Sequence, residues 1–323
     1  MRLHGTILIT GGTGSLGHAI MRRANEENWD TDFIVYSRDE SKQARLRSVF
    51  PDIRCVLGDV RDEDWLRLNM RGVDTVIHAG AYKRVPSAQN NATETVKTNI
   101  IGSLNVARAA VEAGVRRVVG ISTDKAAQPV NVYGASKFVM ESLFQNADRW
   151  GDTVFTLARY GNVVGSNGSV IPFFVQQALS GEYITVTHKN MTRFWITMNE
   201  AVDLILFAHT LTGGNIVVPR APAMRVWDLA ETVRDMYAPT IEVVTTSIRP
   251  GEKIHECMVT SAESYHTHVL PKFFVIIDPT RGAQSVGNME PDTEYTSDKP
   301  DRWLSHADME AYILEWEKLS HAR

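Results

Sequence analysis

Cysteine is nearly missing from this chain, and its scarcity narrows the possible chemistry. Cys55 and Cys257 are the two among 323 residues, too few for a disulfide framework or a thiolate metal cluster. Each reads as a small apolar residue of the interior, and the expected setting is a reducing cytoplasm. Long apolar runs are absent as well. No stretch reaches the ~20 residues that cross a bilayer, so no membrane insertion is expected. The opening MRLHGTILITGG lacks an apolar signal core and passes directly into a strand. Nor is charge of one sign in excess: a net charge of -4 and a pI near 6.2 give no reason to expect nucleic acid or an anionic membrane as partner. The ten histidines show no paired ligand spacing, and no metal is expected. Internal repeats and low-complexity tracts are also lacking.

What the chain does have is alternation. Short β-rich runs at Thr6–Thr10, Asp32–Tyr36, Ile53–Leu57, Thr75–His78, Arg117–Ser122 and Val154–Arg159 alternate with helical segments. The spacing of Val96, Ile100, Leu104, Ala107 and Val111 predicts one apolar helix face. Serial βαβ units imply an α/β fold with a Rossmann-type, doubly wound parallel sheet, which binds ligands beyond the carboxyl ends of its strands. After about Gly161 the alternation loosens. The Gly- and Asn-rich loop Asn162–Gly168 and the punctuation at Pro219–Pro222 and Arg249–Gly251 point to a smaller C-terminal lobe over the ligand edge. The expected division is a dinucleotide-binding domain over 1–165 and a substrate-binding lobe over 166–323, with segments near 191–218 crossing back to the sheet. Residues 281–300 read as a polar surface excursion before a last helix near His306–Trp316. Phe173, Phe174, Phe194 and Trp195 read as core.

The first strand runs into Thr10-Gly11-Gly12-Thr13-Gly14-Ser15-Leu16-Gly17 and then a helix. Glycines at 11, 14 and 17 permit a tight turn, close approach of backbone to a pyrophosphate, and close helix–strand packing. Thr13, Ser15 and Leu16 complete the loop, and the helix N-terminus offers free N–H groups to the anion. The second strand ends in Ser37-Arg38, with Lys42 four residues on. An NAD-binding strand usually ends in a carboxylate for the ribose. A hydroxyl and two cations suit a 2′-phosphate, so the expected cofactor is NADP; the same cations would also serve as a solvated helix start. Asp59 and Val60, after the third strand, are placed for the adenine. Ala79, Gly80 and Ala81, after the fourth, are placed for the ribose and nicotinamide.

Ser122-Thr123-Asp124-Lys125 closes the fifth strand, and Tyr133 and Lys137 follow one helical turn apart. An ammonium near a phenol favours the phenolate, so Tyr133 with Lys137 makes a base, and Asp124-Lys125 adds a second acid/base pair. That suits a redox step coupled to another proton transfer. The bland alternatives are a surface helix contact for the first pair and a solvated turn for the second.

TGGTGSLG, GDV after strand three, HAGAYKRVP, STDKA, YGASK, RYGNVVGSNGSVIPFF, MTRFWIT and RPGEKIHE occur in one order over roughly residues 6 to 260. Together they resemble the extended short-chain dehydrogenase/reductase superfamily and, within it, the soluble UDP-N-acetylglucosamine 4,6-dehydratases (inverting). Retaining hexose dehydratases usually carry Thr-Asp-Glu at Thr123-Asp124-Lys125. Simple 4-epimerases generally have a small hydroxyl residue there, and the membrane-bound relatives tend to have Met at Tyr133. The chain departs from its relatives at Gly80 and Tyr82, where Ala and Leu are commoner.

The resemblance implies a mechanism. Tyr133, assisted by Lys137 and Thr123, takes the carbon-4 hydroxyl proton as hydride passes to NADP. Lys125, held neutral by a depressed pKa, takes the carbon-5 proton, and a protonated Asp124 donates to the departing carbon-6 hydroxyl. Hydride returns to carbon 6 and carbon 5 inverts, giving a UDP-2-acetamido-2,6-dideoxy-L-arabino-hexos-4-ulose. For UDP-GlcNAc, the expected substrate, the candidate contacts are Arg193 and Arg249 for the pyrophosphate and Asn162 for phosphate or sugar. Lys83 and Asn99 are candidates for the N-acetyl side, and Glu252 for the uridine ribose. Relatives are commonly dimers or hexamers, so a homo-oligomer is expected. The alternatives are an NDP-hexosamine 4-epimerase and an NADP-sensing regulatory protein on the same fold.

Overall fold

The computed structural model describes residues 1–166, 168–181, 183–278 and 287–321. Its strands are β1 (Gly5–Thr10), β2 (Thr31–Ser37), β3 (Arg54–Leu57), β4 (Thr75–His78), β5 (Arg117–Thr123), β6 (Val154–Tyr160), β7 (Asn162–Val163) and β8 (Ile184–Val186). They continue with β9 (Thr192–Ile196), β10 (Ile216–Pro219), β11 (Ala223–Arg225), β12 (Val243–Thr245), β13 (Cys257–Val259), β14 (Thr267–Val269), β15 (Phe273–Ile276) and β16 (Tyr295–Thr296). The helices are α1 (Ser15–Glu26), α2 (Glu40–Val49), α3 (Glu63–Asn69), α4 (Val85–Asn90), α5 (Ala92–Val96) and α6 (Gly102–Glu112). Then come α7 (Val132–Ala147), α8 (Val170–Leu179), α9 (Met198–Thr210), α10 (Val226–Tyr237), α11 (Ser261–Ser264) and α12 (His306–His321). Among the described residues, no helix is long and apolar enough to cross a membrane.

The large sheet runs β14-β15-β10-β6-β5-β4-β1-β2-β3. From β10 to β3 every neighbour is parallel, and β15 and β14 close the far edge antiparallel. Besides β10, then, the C-terminal half contributes residues 267–276 to this sheet. Runs such as Ile7-Leu8-Ile9 and Val118-Val119 are fully buried because helices cover both faces. On one face lie α1 and α9, with Ala19, Ile20, Val202 and Ile205 in the core. The other carries α3, α6 and α7, with Leu66, Val106, Ala110 and Phe144. Strand order reverses between β1 and β4, which opens a crevice at their carboxyl ends.

Beyond that edge, α8, β9, α10 and α12 share an apolar core of Ile171, Phe174, Trp195, Leu229, Met309 and Ile313. Phe173 is not part of it and stays exposed. The last helix runs further than the sequence predicts, to His321; beyond Trp316, Glu317 accepts the Tyr237 hydroxyl of α10 at 2.6 Å. Of the expected polar excursion, residues 281–286 lie outside the described residues, as does Asn167 of the Asn162–Gly168 loop.

One helix departs from its sequence reading. Of the stripe Val96, Ile100, Leu104, Ala107, Val111, Ala107 is fully buried and Ile100, Leu104 and Val111 are half-buried, but Val96 is exposed, and Thr95, Asn99, Ser103, Val106 and Ala110 share the buried face. A π-turn over Lys97–Ile101 joins α5 to α6. Its extra residue rotates everything on one side relative to the other, so a fixed 3.6-residue period cannot hold across it.

Two local constraints set the geometry around α7. Asn131 caps the helix through the Gly134 N–H at 2.8 Å. A Cβ on Gly134 would lie 2.2 Å from the Lys125 carbonyl oxygen, so only glycine allows the helix to start against the turn that follows β5. Behind it, Arg159 of β6 is fully buried and binds Glu141 of α7 at 2.9 and 2.7 Å. The same guanidinium reaches Glu263 of α11 at 2.9 and 2.7 Å and the Met258 carbonyl at 2.8 Å.

Two outcomes are expected. Glu141→Gln should lower unfolding free energy by about 3 kcal/mol, because a buried guanidinium loses half its charge partner. That is read as a lower urea midpoint at unchanged slope. Gly134→Ala should cost about 1–3 kcal/mol from overpacking against backbone and lower the melting temperature, whereas an unchanged melt would mean the turn yields freely.

Candidate active site

The crevice begins at the β1–α1 junction. The N-cap of α1 is Gly14, with neither a side-chain cap nor an acid in the first turn. The helix end therefore presents its N–H groups and positive dipole end, as an anion requires. A Cβ on Gly17 would lie 2.0 Å from the Gly12 carbonyl oxygen, which is how helix and loop pack so closely. Thr13 and Leu16 are half-buried and Ser15 is buried beside them. These residues fit a dinucleotide pyrophosphate.

At the end of β2, Ser37 is buried and receives a hydrogen bond from Gln43 Nε2 at 3.0 Å. Arg38 and Lys42 are exposed, Arg38 at 3.5 Å from Asp59 and Lys42 at 3.2 Å from Asp39. Asp39 is turned into the helix and accepts the Lys42 N–H as N-cap of α2. Val60 is buried against Gly102. Across the crevice, Ala79, Gly80 and Ala81 line the end of β4, and the Gly80 N–H donates to Thr10 Oγ1 at 3.2 Å. Thr10 and Ser103 hold the two ring nitrogens of His78 at 2.8 and 2.9 Å. Burial pushes that imidazole down to about 3, so it stays neutral.

The end of β5 holds the densest charge. After Thr123 a single tight turn, Asp124–Ala126, presents Asp124 fully buried and Lys125 mostly so. Lys125 Nζ lies 3.1 Å from Asp124 Oδ1 and 3.2 Å from Glu256 Oε1. The Thr123 hydroxyl donates to Asp124 Oδ1 at 2.9 Å. Burial and the Glu256 charge push Asp124 toward its protonated form, against the pull of Lys125.

Lys125 itself is not the depressed base that sequence reasoning expects. Burial opposes its charge, but the Asp124 and Glu256 carboxylates outweigh burial and push its pKa up. The reading from sequence counted neighbouring cations and missed an acid, Glu256, from far along the chain.

Tyr133 sits on the first turn of α7. Burial pushes its phenol up, while Lys125 and the Thr123 hydroxyl pull it down. Lys137 is buried, donates to Met140 Sδ at 2.8 Å, and is pushed down to about 7 by burial, with Glu141 acting the other way. Lys125 is thus a cation that favours the phenolate in this arrangement, while burial lowers the charge that Lys137 carries. A lysine one turn away must surrender solvent to reach the phenol, and this one is drawn into the interior.

The expected substrate contacts separate into two groups. Lys83 and Arg249 are exposed, Asn162 is half-buried on β7, and Glu252 accepts the Arg249 N–H at 3.0 Å. Asn99 and Arg193 turn inward. The Asn99 amide bonds both polar groups of the Tyr82 backbone and Ser136 Oγ, tying the β4 loop to α7. Arg193 donates to the carbonyls of Thr192, Ile254 and Lys253, and its Nε lies 3.7 Å from Glu256. Glu256 was missed. The available signal was an acid directly before the apolar run Cys257-Met258-Val259, within a motif whose other polar residues drew attention first.

The family model described as Polysaccharide biosynthesis protein matches residues 7–278. A UDP-N-acetylglucosamine 4,6-dehydratase (inverting) from Campylobacter jejuni is 43% identical over 277 residues, covering 84% of this chain and 82% of that protein. A UDP-glucose 4-epimerase from Rickettsia massiliae is 40% identical over 267 residues, covering 80% of this chain and 78% of that one. Among solved structures, Pen from Bacillus thuringiensis superposes with a TM-score of 0.89 at 34% identity, over 97% of this chain and 98% of that one. With the parallel sheet and its crevice in place, the chain belongs to the polysaccharide biosynthesis protein family.

Proposed function

We propose that the chain is an NADP-dependent UDP-N-acetylglucosamine 4,6-dehydratase that inverts carbon 5. The observation that carries this reading is a second acid/base pair, Asp124 and Lys125, beside Tyr133 in one buried site. When bound, the dinucleotide supplies hydride exchange with the sugar carbons. Tyr133 takes the carbon-4 hydroxyl proton while Thr123 holds the same oxygen. The resulting ketone acidifies carbon 5. Lys125 passes a proton to Asp124 across their 3.1 Å contact, leaving an amine beside a carboxylic acid. The amine takes the carbon-5 proton, and the carboxyl protonates the departing carbon-6 hydroxyl as the carbon–oxygen bond breaks. The pair then regains the ammonium and carboxylate with which it began. A proton delivered from solvent to the opposite face of carbon 5 inverts that centre, and Tyr133 returns to solvent the proton it took, which closes the proton balance.

NADP is favoured by Ser37 and the exposed Arg38 at the β2 end, where Asp39 is engaged as the cap of α2 and Asp59 lies 3.5 Å from Arg38. The Rickettsia relative favours a second reading, a nucleotide-sugar 4-epimerase. That reaction needs Tyr133 and the cofactor but gives Asp124 and Lys125 nothing to do.

Proton NMR of the protein with UDP-GlcNAc and NADP in deuterated water separates the two. A new methyl signal with deuterium at carbon 5 is expected, and a UDP-GalNAc spectrum without a methyl would sink the dehydratase. Lys125→Met should still bind NADP yet lose about 10²–10⁴-fold in dehydration; normal turnover would remove Lys125 from the role. Arg38→Ala should weaken NADP relative to NAD about tenfold or more, the worth of one charged hydrogen bond. Equal losses for both dinucleotides in a binding titration would count against the 2′-phosphate contact.

A further inference from the structure

We propose that Glu256 is a positioning residue for the elimination: supplied by the second lobe, it holds the Lys125 side chain against Asp124 and keeps the nitrogen aimed for proton transfer. The inference rests on the dehydratase reading for its consequence in turnover, but its geometry does not.

Glu256 is 2% exposed, and a buried carboxylate is costly unless cations compensate it. Three face it. Lys125 Nζ is nearest, at 3.2 Å, while Arg193 Nε and Lys253 Nζ lie at 3.7 Å. The two farther cations have other partners: Arg193 donates to three backbone carbonyls, and Lys253 donates to the Ala127 carbonyl at 2.8 Å. Arg193 and Lys253 therefore frame Glu256, and Lys125 is what Glu256 holds.

The backbone is fixed for this purpose. The Glu256 N–H donates to Ser297 Oγ at 2.9 Å, and its carbonyl accepts the Ser297 N–H at 2.8 Å. Ser297 is itself held by Thr192 of β9 at 2.7 Å. Glu256 Oε2 and Asp124 Oδ2 are both buried without a hydrogen-bond partner, so the cluster has two acceptor oxygens that the fold leaves unfilled. One carboxylate cannot both receive the proton of Lys125 and keep the amine in place once that proton has moved. With Glu256 present, the amine stays anchored while Asp124 acts as the acid.

The charged and titratable groups facing Lys125 are Asp124 on the same turn, Tyr133 on α7, Arg193 on β9, and Glu256 at the start of β13, with Lys253 behind it. Removing the Glu256 charge takes an anion from both partners. Lys125 then loses its proton more readily and Asp124 ionises more readily, so both limbs of the rate profile move to lower pH.

The test compares Glu256→Gln and Glu256→Asp with the parent full-length chain. Three things are measured: NADP binding, methyl-product formation against pH, and titration of Lys125 by ¹³Cε lysine NMR, the resonance assigned with Lys125→Met. E256Q should bind NADP as the parent does and keep KM within about twofold, with kcat falling at least about tenfold. Its Lys125 midpoint and alkaline-going rate limb should move down by about one pH unit or more. E256D keeps the charge, and should keep the limb while losing rate. A Lys125 titration in E256Q that superimposes on the parent overturns the proposal, whatever the turnover. Should E256Q fail to fold, E256D with parental kcat overturns it equally. A shifted titration in a parent that makes no 6-deoxy product supports the hold on Lys125 and sinks the dehydratase reading.

Discussion

An ammonium held between two carboxylates that water does not reach is the constraint on which the site depends. Asp124 and Glu256 are 0% and 2% exposed, and a buried carboxylate is costly without a cation; Lys125 faces both, and Arg193 and Lys253 also face Glu256. Asp124 and Lys125 come from the turn that ends β5, and Glu256 from the start of β13, far along the chain. The cluster therefore exists when the turn after β5 and the segment before β13 have been brought together, and its protonation state depends on that tertiary contact. Arg159 ties the same parts from behind, joining β6, α7 and α11 through Glu141 and Glu263.

The parallel sheet explains why these groups meet near a dinucleotide crevice. Strands β1, β2, β4 and β5 end at one edge, so the phosphate loop, Ser37-Arg38, Ala79-Gly80 and Thr123-Asp124-Lys125 converge there although widely spaced in sequence. The close start of α7 against the Lys125 carbonyl then brings Tyr133 over the turn. A buried polar chain through Thr10, His78, Ser103, Asn99 and Ser136 links the β1 end to α7. This network makes Asn99 a support of the site's shape.

The departures from the sequence reading share one cause: local spacing says nothing about which neighbours arrive from elsewhere. Lys137 stands one turn from Tyr133, as the pattern requires, yet burial against Met140 takes it toward neutrality. Lys125 looked like an isolated base beside one acid, and a second acid from the other lobe reverses its pKa shift. Arg193 carries the right charge for a phosphate but uses its guanidinium on backbone carbonyls. The helix stripe from Val96 to Val111 lost Val96 from its buried side because a π-turn over Lys97–Ile101 changed the period.

By itself the sequence determined the alternation of strands and helices, the glycine loop before α1, and the identity of the residues at each strand end. These are local properties: periodicity, turn chemistry and the steric demands of glycine act within a few residues. Tertiary structure alone decided which of those residues share an environment. It brought Glu256 to Lys125, turned Asn99 and Arg193 inward, and buried Lys137. Charge interactions grow as water is excluded, and exclusion is an outcome of packing that no short stretch of sequence contains.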